Sequence, residues 1–189
     1  MDELLKSEYM PWVVGTLLLL FLWLLYRFYL RHRSRLELVL RDIAFDRINN
    51  LVIPNADDGE ILIDHLLLTS QGLLILEIKD VEGVVFGSDK MQDWTVIGAN
   101  RRYTFPNPQH GLYDRIAAVR EIVRQVPVAG RILFLDGAEF TKGMPGLVAT
   151  LDQLAEDFGE KDKKAARVNI EAFQSHWDLI RDKAGRSKR

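Results

Sequence analysis

Three charged residues interrupt apolar runs of the chain, and their side chains suit metal-assisted hydrolysis. Asp64 divides the apolar stretch 61–68, and Glu77 and Lys79 end the apolar run that begins at Leu73. Mg²⁺ binds one or two carboxylates together with waters and a substrate phosphate. Such a cation would supply Lewis acidity, and the lysine would orient or deprotonate an attacking water. The alternative is a partly buried ion network in which Lys79 neutralises one of the two carboxylates.

The two segments that carry these residues are predicted to form a β-hairpin. Residues 60–68 and 73–79 have the composition of strands, and the four residues from Thr69 to Gly72 have that of a turn. Side chains alternate between the faces of a strand, so Asp64 and His65 point in opposite directions. His65 is therefore predicted to be a packed or surface histidine rather than part of the same site.

The length of the turn decides which residue Asp64 faces. With Ser70-Gln71 as the loop, Asp64 faces Glu77, whereas with Gln71-Gly72 as the loop it faces Lys79. Both registers place the three charged side chains on one face, and only an odd-length loop or a bulge would separate them. Like charges directly opposed on neighbouring strands are destabilising. A bound cation or the lysine is needed to compensate them.

The remaining sequence predicts a mixed α/β domain. Apolar residues at helical spacing predict helices, and short apolar runs bounded by glycine, proline or asparagine predict strands. The predicted helices are 35–48, 112–126, 147–158 and 165–183, and the further strands are 51–53, 84–88, 94–97, 102–105 and 131–135.

Composition excludes several classes of protein. The chain has 189 residues, 25 Lys+Arg against 27 Asp+Glu, and no Cys. The absence of cysteine rules out a disulfide scaffold, a Cys nucleophile and a Cys-ligated metal. Residues 1–35 carry five basic and three acidic groups, so the rest carries 20 basic and 24 acidic groups, a net charge of −4. A nucleic-acid partner would therefore need a local basic patch.

An uncharged run from Tyr9 to Tyr26 predicts a transmembrane helix at 11–30. A tail at 1–10 precedes it, and a basic segment at 31–35 follows. Basic residues favour the cytoplasmic side, which predicts an outside N-terminus and a cytoplasmic domain held at the cell membrane. The domain is predicted at 36–182, with a basic C-terminal tail at 183–189. Nothing in the sequence indicates an oligomeric state.

A longer string of residues resembles a known family. One pattern resembles the Asp…Glu-x-Lys signature of the PD-(D/E)xK nuclease superfamily: Asp64, then twelve residues, then Glu77-Ile78-Lys79. Gly72, Gly83, Gly87, Trp94 and Asn107-Pro108 extend the resemblance to the nuclease-related domain (NERD) family. The similar stretch covers roughly residues 60–125. It implies a nuclease-like mixed sheet flanked by helices.

The resemblance also implies roles for individual residues. Asp64 and Glu77 would bind Mg²⁺ or Mn²⁺ with the main-chain carbonyl of Ile78, and Lys79 would be the catalytic lysine. A carboxylate from the first helix often joins such sites. Glu37 is the candidate for that carboxylate, and Glu60 is a second one.

One position departs from the family pattern. The family usually has a glutamine four residues after the asparagine of Asn-Pro, and this chain has Gly111 there. Gln109 lies nearby but is shifted by two residues. If the glutamine assists catalysis or substrate placement, its absence bears on activity.

Two functions fit these observations. The first is a membrane-anchored, metal-dependent endonuclease or other phosphodiesterase that acts on DNA or RNA. The second is a membrane-tethered binding or scaffold module that keeps the fold without catalysis. Arg101 and Arg102 are candidates for nucleic-acid binding. Three arginines on the next predicted helix could also approach phosphates, although scattered surface arginines are the ordinary interpretation: Arg115, Arg120 and Arg124.

Overall fold

The structure, a computed structural model, describes residues 10–54, 59–159 and 163–187. Two compact units divide the chain, residues 1–38 and residues 39–189. The predicted N-terminal tail, apart from Met10, and the last two residues of the predicted C-terminal tail lie outside the described residues. In chain order the elements are α1 (Met10–Ile43), β1 (Asp46–Pro54), β2 (Glu60–Thr69), β3 (Gly72–Lys79), β4 (Gly83–Phe86), β5 (Asp93–Ile97), β6 (Arg102–Pro106), α2 (Pro108–Ile122), β7 (Val128–Phe134), β8 (Ala138–Glu139), β9 (Val148–Ala149), α3 (Leu151–Phe158) and α4 (Lys163–Ser187).

Most of α1 belongs to the first unit, where its large apolar side chains between Val13 and Tyr26 are exposed. In the described part of the chain, no helix has both the length and the hydropathy needed to cross a membrane. The transmembrane helix predicted at 11–30 is therefore not supported. The cell location and orientation inferred from that helix stay predictions.

Five strands of the second unit form one mixed sheet in the order β1-β2-β3-β7-β9. β1, β2 and β3 are antiparallel neighbours, whereas β7 is parallel to β3 and β9 is parallel to β7. The strands predicted at 60–68 and 73–79 are confirmed as β2 and β3, with each bound within one residue. They carry the three charged residues of interest.

The second unit also contains a four-stranded mixed sheet in the order β6-β5-β4-β8. The strands predicted at 94–97 and 102–105 are confirmed as β5 and β6, which form an antiparallel hairpin, and β4 pairs with β5 on one side and with β8 on the other. A mixed α/β fold with helices and two mixed sheets is thus confirmed.

The predicted helix at 35–48 is wrong at its C-terminal end. α1 ends at Ile43, and β1 begins at Asp46. Ile48 continues the helical spacing of apolar residues, but it pairs with Leu66 on β2 instead. Hydrophobic spacing is a local signal, so it cannot detect a strand that forms because a distant segment offers backbone partners.

Helix α2 packs on the face of the first sheet that carries Glu77. On β7, a Cβ atom added at Gly130 would lie 2.8 Å from Ile116 Cδ1 and 2.9 Å from a Leu112 methyl carbon, both on α2. Gly130 pairs with Ile75 in the β3–β7 register. Alternation places Ile75 and Glu77 on the same face of β3. The absence of a side chain at Gly130 therefore lets α2 approach the candidate residues.

The Asn-Pro pair begins α2 four residues earlier than the sequence predicts. Asn107 is the N-cap, and its side-chain oxygen accepts a hydrogen bond from the Gln109 N–H at 3.0 Å. The Asn107 amide group also donates to the Met91 carbonyl at 2.8 Å. Only 3% of Asn107 is exposed. This buried amide therefore joins the start of α2 to the loop that follows β4.

Trp94 on β5 is fully buried at the centre of an aromatic cluster. Its ring centroid lies 6.1 Å from that of Phe105 and 6.2 Å from that of Phe134. The indole N–H donates to the Ser88 carbonyl at 3.1 Å. Gly87 packs against the indole face so closely that a Cβ atom there would overlap ring atoms. The glycine and the tryptophan of the sequence signature thus form one packing contact.

We expect the substitution Gly87→Ala to destabilise the domain, because the added methyl group forces the buried Trp94 ring to move. Overpacking of a core costs about 1–3 kcal/mol. Urea unfolding of the full chain measures the loss. Gly146→Ala is the matched control, since the nearest atom to its new Cβ would be 3.8 Å away. Equal unfolding midpoints for the two variants would contradict this account of Gly87.

Candidate active site

The turn between β2 and β3 decides between the two predicted registers. Thr69 pairs with Gly72, so Ser70-Gln71 is the two-residue loop. Gly72 has a φ of 124°, a backbone conformation open to glycine but strained for other residues. The register therefore follows the first prediction, in which Asp64 faces Glu77. The last pair of the ladder is His65 with Leu76, and Asp64 and Glu77 are next in line.

Glu77 lies between two cations on the face covered by α2. Only 8% of the residue is exposed. Its Oε1 atom lies 2.7 Å from Lys79 Nζ, and its Oε2 atom lies 3.4 Å from Arg115 Nη1. A buried carboxylate requires such partners, because an unpaired buried charge is costly. The ion network that the sequence left open as an alternative is therefore present, with an arginine in addition to the lysine.

Asp64 is half-buried and makes no hydrogen bond or ion pair with the described residues. On its other side lies Asn50, which is opposite Asp64 in the β1–β2 register and absent from the ladder of paired residues. Asn50 has a φ of 52°, in the left-handed region. The strand next to Asp64 thus departs from regular geometry, as is common beside functional groups. The Asp64 carboxylate retains its acceptor capacity for a ligand.

Arg115 belongs to the charged cluster at Glu77, although the sequence favours an ordinary surface arginine at this position. It donates from Nε to the Leu62 carbonyl at 2.8 Å, one strand away from Glu77. Gly111 lies one helical turn before it, and a Cβ atom at Gly111 would lie 3.0 Å from Arg115 Nη1. A glutamine at 111 would compete with the guanidinium for this space. The sequence could have indicated this contact, because Gly111 and Arg115 are four residues apart and residues i and i+4 share a helix face.

The donor set of this face partly fits a divalent cation. The described residues contain no group of three or more His, Cys, Asp and Glu side chains that could hold a metal ion. Two carboxylates still match the requirement of Mg²⁺, which keeps several waters and binds one or two carboxylates. Ile78 follows Glu77 on β3, is half-buried and pairs with Leu133 on β7. The role of its carbonyl as a ligand stays a prediction.

The two further carboxylates that the sequence suggests as metal ligands, Glu60 and Glu37, are not placed beside Asp64 and Glu77 by the structure. Glu60 shares the face of Asp64 but is the first residue of β2, four residues away, a distance of ~13 Å along a strand. One Mg²⁺ ion cannot reach both carboxylates directly. Glu37 lies on the part of α1 that belongs to the first unit, and its participation stays a prediction.

Gln109 occupies a buried position at the start of α2. Only 2% of it is exposed, and its side-chain oxygen accepts a hydrogen bond from the Leu147 N–H at 3.2 Å. This contact holds the segment before β9 against α2. Its predicted assistance in catalysis stays a prediction.

The two arginines predicted to bind nucleic acid lie at the β5–β6 hairpin. Arg101 and Arg102 are both exposed. The Arg101 guanidinium stands 5.1 Å from the centre of the Tyr103 ring, a cation–π contact.

On the opposite face of β2 from Asp64, the His65 Nδ1 atom lies 2.9 Å from Asn49 Oδ1.

We expect Arg115→Met to destabilise the protein, because buried Glu77 would keep only Lys79 as a charged partner. Leaving a charged group short of partners costs about 1–3 kcal/mol. The measurement is a double-mutant cycle of urea unfolding with Glu77→Gln. The loss caused by Arg115→Met should shrink in the Glu77→Gln background. The same loss in both backgrounds would show that Arg115 acts only through Leu62 and packing.

Comparisons with known proteins place these residues in a family. Residues 28–135 match the nuclease-related domain (NERD) model, a segment that contains every residue of the charged cluster. An uncharacterized protein of Bacillus anthracis is 33% identical over 63 residues, which cover 33% of this chain and 30% of that protein. The chain thus matches less than a third of the length of this curated relative. No solved structure matches the chain. Since the matched segment is more than half of the 189 residues, the protein belongs to the nuclease-related domain family.

Proposed function

We propose that the domain is a hydrolase that cleaves phosphodiester bonds of nucleic acid in a reaction that depends on Mg²⁺ or Mn²⁺. The arrangement of Asp64 and Glu77 on adjacent strands, with Lys79 Nζ 2.7 Å from Glu77, carries the proposal. Membership of the nuclease-related domain family supports it. Carboxylates can hold a metal ion that supplies Lewis acidity and activates a water, and a lysine on the same sheet face can orient that water.

Each residue has a distinct role in this proposal. Asp64, Glu77 and the Ile78 carbonyl would hold the cation, which supplies Lewis acidity when bound. Lys79 orients the attacking water, because its ammonium group is fixed beside Glu77 and is one-third exposed. Arg115 stabilises negative charge on the phosphate, since a guanidinium has five N–H donors and its contacts with the described residues use only two of them.

We further propose that the first sheet is the mixed sheet of a PD-(D/E)xK nuclease fold. Its central strand β3 carries Glu77 and Lys79, and its neighbour β2 carries Asp64. α2 packs on the face of these three residues and brings Arg115 to them. The arrangement gives one face of the sheet both the metal-binding and the phosphate-binding groups.

A second candidate function is a binding or scaffold module without catalysis. The observation that favours it is the pairing of both Glu77 oxygens with cations. A metal ion would have to compete with Lys79 and Arg115 for this carboxylate. The net charge of −4 outside residues 1–35 also disfavours general nucleic-acid binding.

We expect the full chain to cleave at least one of four substrates in the presence of Mg²⁺ or Mn²⁺. The substrates are supercoiled plasmid, linear duplex DNA, single-stranded DNA and RNA. Cleavage should stop in excess chelator, and Lys79→Ala or Asp64→Asn should reduce the rate by at least about 100-fold, the usual effect of removing an electrostatic catalytic group. Gel analysis of the products over time measures the rates.

Lys183→Ala is the matched control, since Lys183 is exposed on α4. It should cleave at the wild-type rate. All variants are purified in the same way, so that a contaminating nuclease would appear equally in each preparation. The absence of cleavage on all four substrates would reject the hydrolase and favour the binding module. Equal cleavage by wild type and Lys79→Ala would reject the assigned site.

A further inference from the structure

A basic cavity lies at the opposite end of the first sheet from the charged cluster at Glu77. It has a volume of about 490 Å³ and lies where the β2–β3 turn, the end of α2 and the start of β7 meet. Leu73, which lines it, is six residues from Lys79 on the same strand. Six residues of a strand span ~20 Å, so the cavity is separate from the charged cluster at Glu77.

Three arginines line this cavity, and none of the described residues that line it is acidic. They come from three parts of the chain: Arg120 from the last turn of α2, Arg124 from the turn after it, and Arg131 from β7. Basic residues at the end of a helix stabilise its dipole, which accounts for the first two. It does not account for Arg131, which extends from a strand into the same cavity.

Two of the guanidinium groups are held in place by the backbone. Arg120 Nη2 donates to the Val128 carbonyl at 2.9 Å, and Arg131 Nη1 donates to the Gly130 carbonyl at 3.0 Å. The Arg131 guanidinium also lies 5.6 Å from the centre of the Phe158 ring. Each guanidinium has five N–H donors, so most of them remain for a ligand. Groups that are already fixed lose little freedom when they bind.

The charges near the cavity are unbalanced. Arg124 is exposed and makes no hydrogen bond or ion pair with the described residues. Asp157 stands 3.5 Å from Arg131, but its side chain is 48% exposed. An exposed pair of this kind contributes little free energy and is screened by salt. The cavity therefore has an excess of positive charge that an anionic ligand would neutralise.

We infer that this cavity binds a phosphate monoester of mononucleotide size. Arginine fits phosphate because its planar guanidinium donates two parallel hydrogen bonds to phosphate oxygens. A monoester has three terminal oxygens, which matches three arginines better than the two of a phosphodiester. The cavity volume is within the ~300–1,000 Å³ of small-molecule sites. A free nucleotide and the 5′-phosphate end of a nucleic-acid strand both supply this group.

Binding to the full chain tests the inference, with chelator present so that metal-mediated binding elsewhere is excluded. Isothermal titration at ~0.15 M salt compares adenosine 5′-monophosphate, inorganic phosphate and adenosine. The two phosphates should bind and adenosine should not. Arg124→Gln should weaken binding of the monophosphate about tenfold, the effect of losing one hydrogen bond to a charged group. Arg167→Gln, an exposed arginine on α4 outside the cavity, is the matched control and should bind as wild type does.

A second comparison separates the two sources of the phosphate. If a 5′-phosphorylated DNA hexamer binds at least as tightly as the mononucleotide, and a hexamer with a 5′-hydroxyl group binds weakly, the natural ligand is a strand terminus. Tighter binding of the mononucleotide identifies a free nucleotide.

Amide chemical shifts should change near Gln71 and Val128 on addition of adenosine 5′-monophosphate. The inference is overturned by equal binding of adenosine, by wild-type affinity in Arg124→Gln, or by shifts confined to the Lys79 end of the sheet. These outcomes are independent of whether the chain cleaves nucleic acid.

Discussion

The register of β2 against β3 is the constraint on which the charged cluster depends. Ser70-Gln71 forms the shortest loop that a hairpin uses, and Gly72 adopts the positive φ that closes it. A shift by one residue would turn every side chain of β2 to the other face of the sheet. Asp64 would then leave the face of Glu77 and Lys79. The chemistry of the site is therefore determined by a turn that lies at the far end of both strands.

Charge balance at Glu77 connects the site to the packing of α2. A buried carboxylate opposite a second carboxylate needs positive neighbours, and Lys79 and Arg115 provide them from the same strand and from the helix above. Arg115 can approach because Gly111 has no side chain and because Gly130 lets the helix lie close to the sheet. The guanidinium of Arg115 thus occupies the space that a side chain at position 111 would need. In the proposed function, a cation and a phosphate would bind where these ion pairs now lie.

The first sheet presents positively charged groups at both of its ends. Lys79 and Arg115 lie near the carboxyl end of β3, and the cavity of Arg120, Arg124 and Arg131 lies near its amino end. The cations at the Lys79 end are balanced by Asp64 and Glu77, whereas the arginine cavity has an excess of positive charge although the chain as a whole is slightly negative. A local positive potential of this kind attracts phosphates without a basic composition.

The sequence by itself determined which strands carry Asp64, Glu77 and Lys79 and that the three share one face, because alternation along a strand and a short turn are local properties. It also identified the mixed α/β class. It could not choose between the two registers, end the first helix at Ile43, or assign Arg115 to the site. Those decisions came from the tertiary structure: Ile48 pairs with a distant strand, and Arg115 reaches Glu77 across 38 positions of the chain. Contacts of this range depend on how α2 packs on the sheet, and local spacing holds no information about that packing.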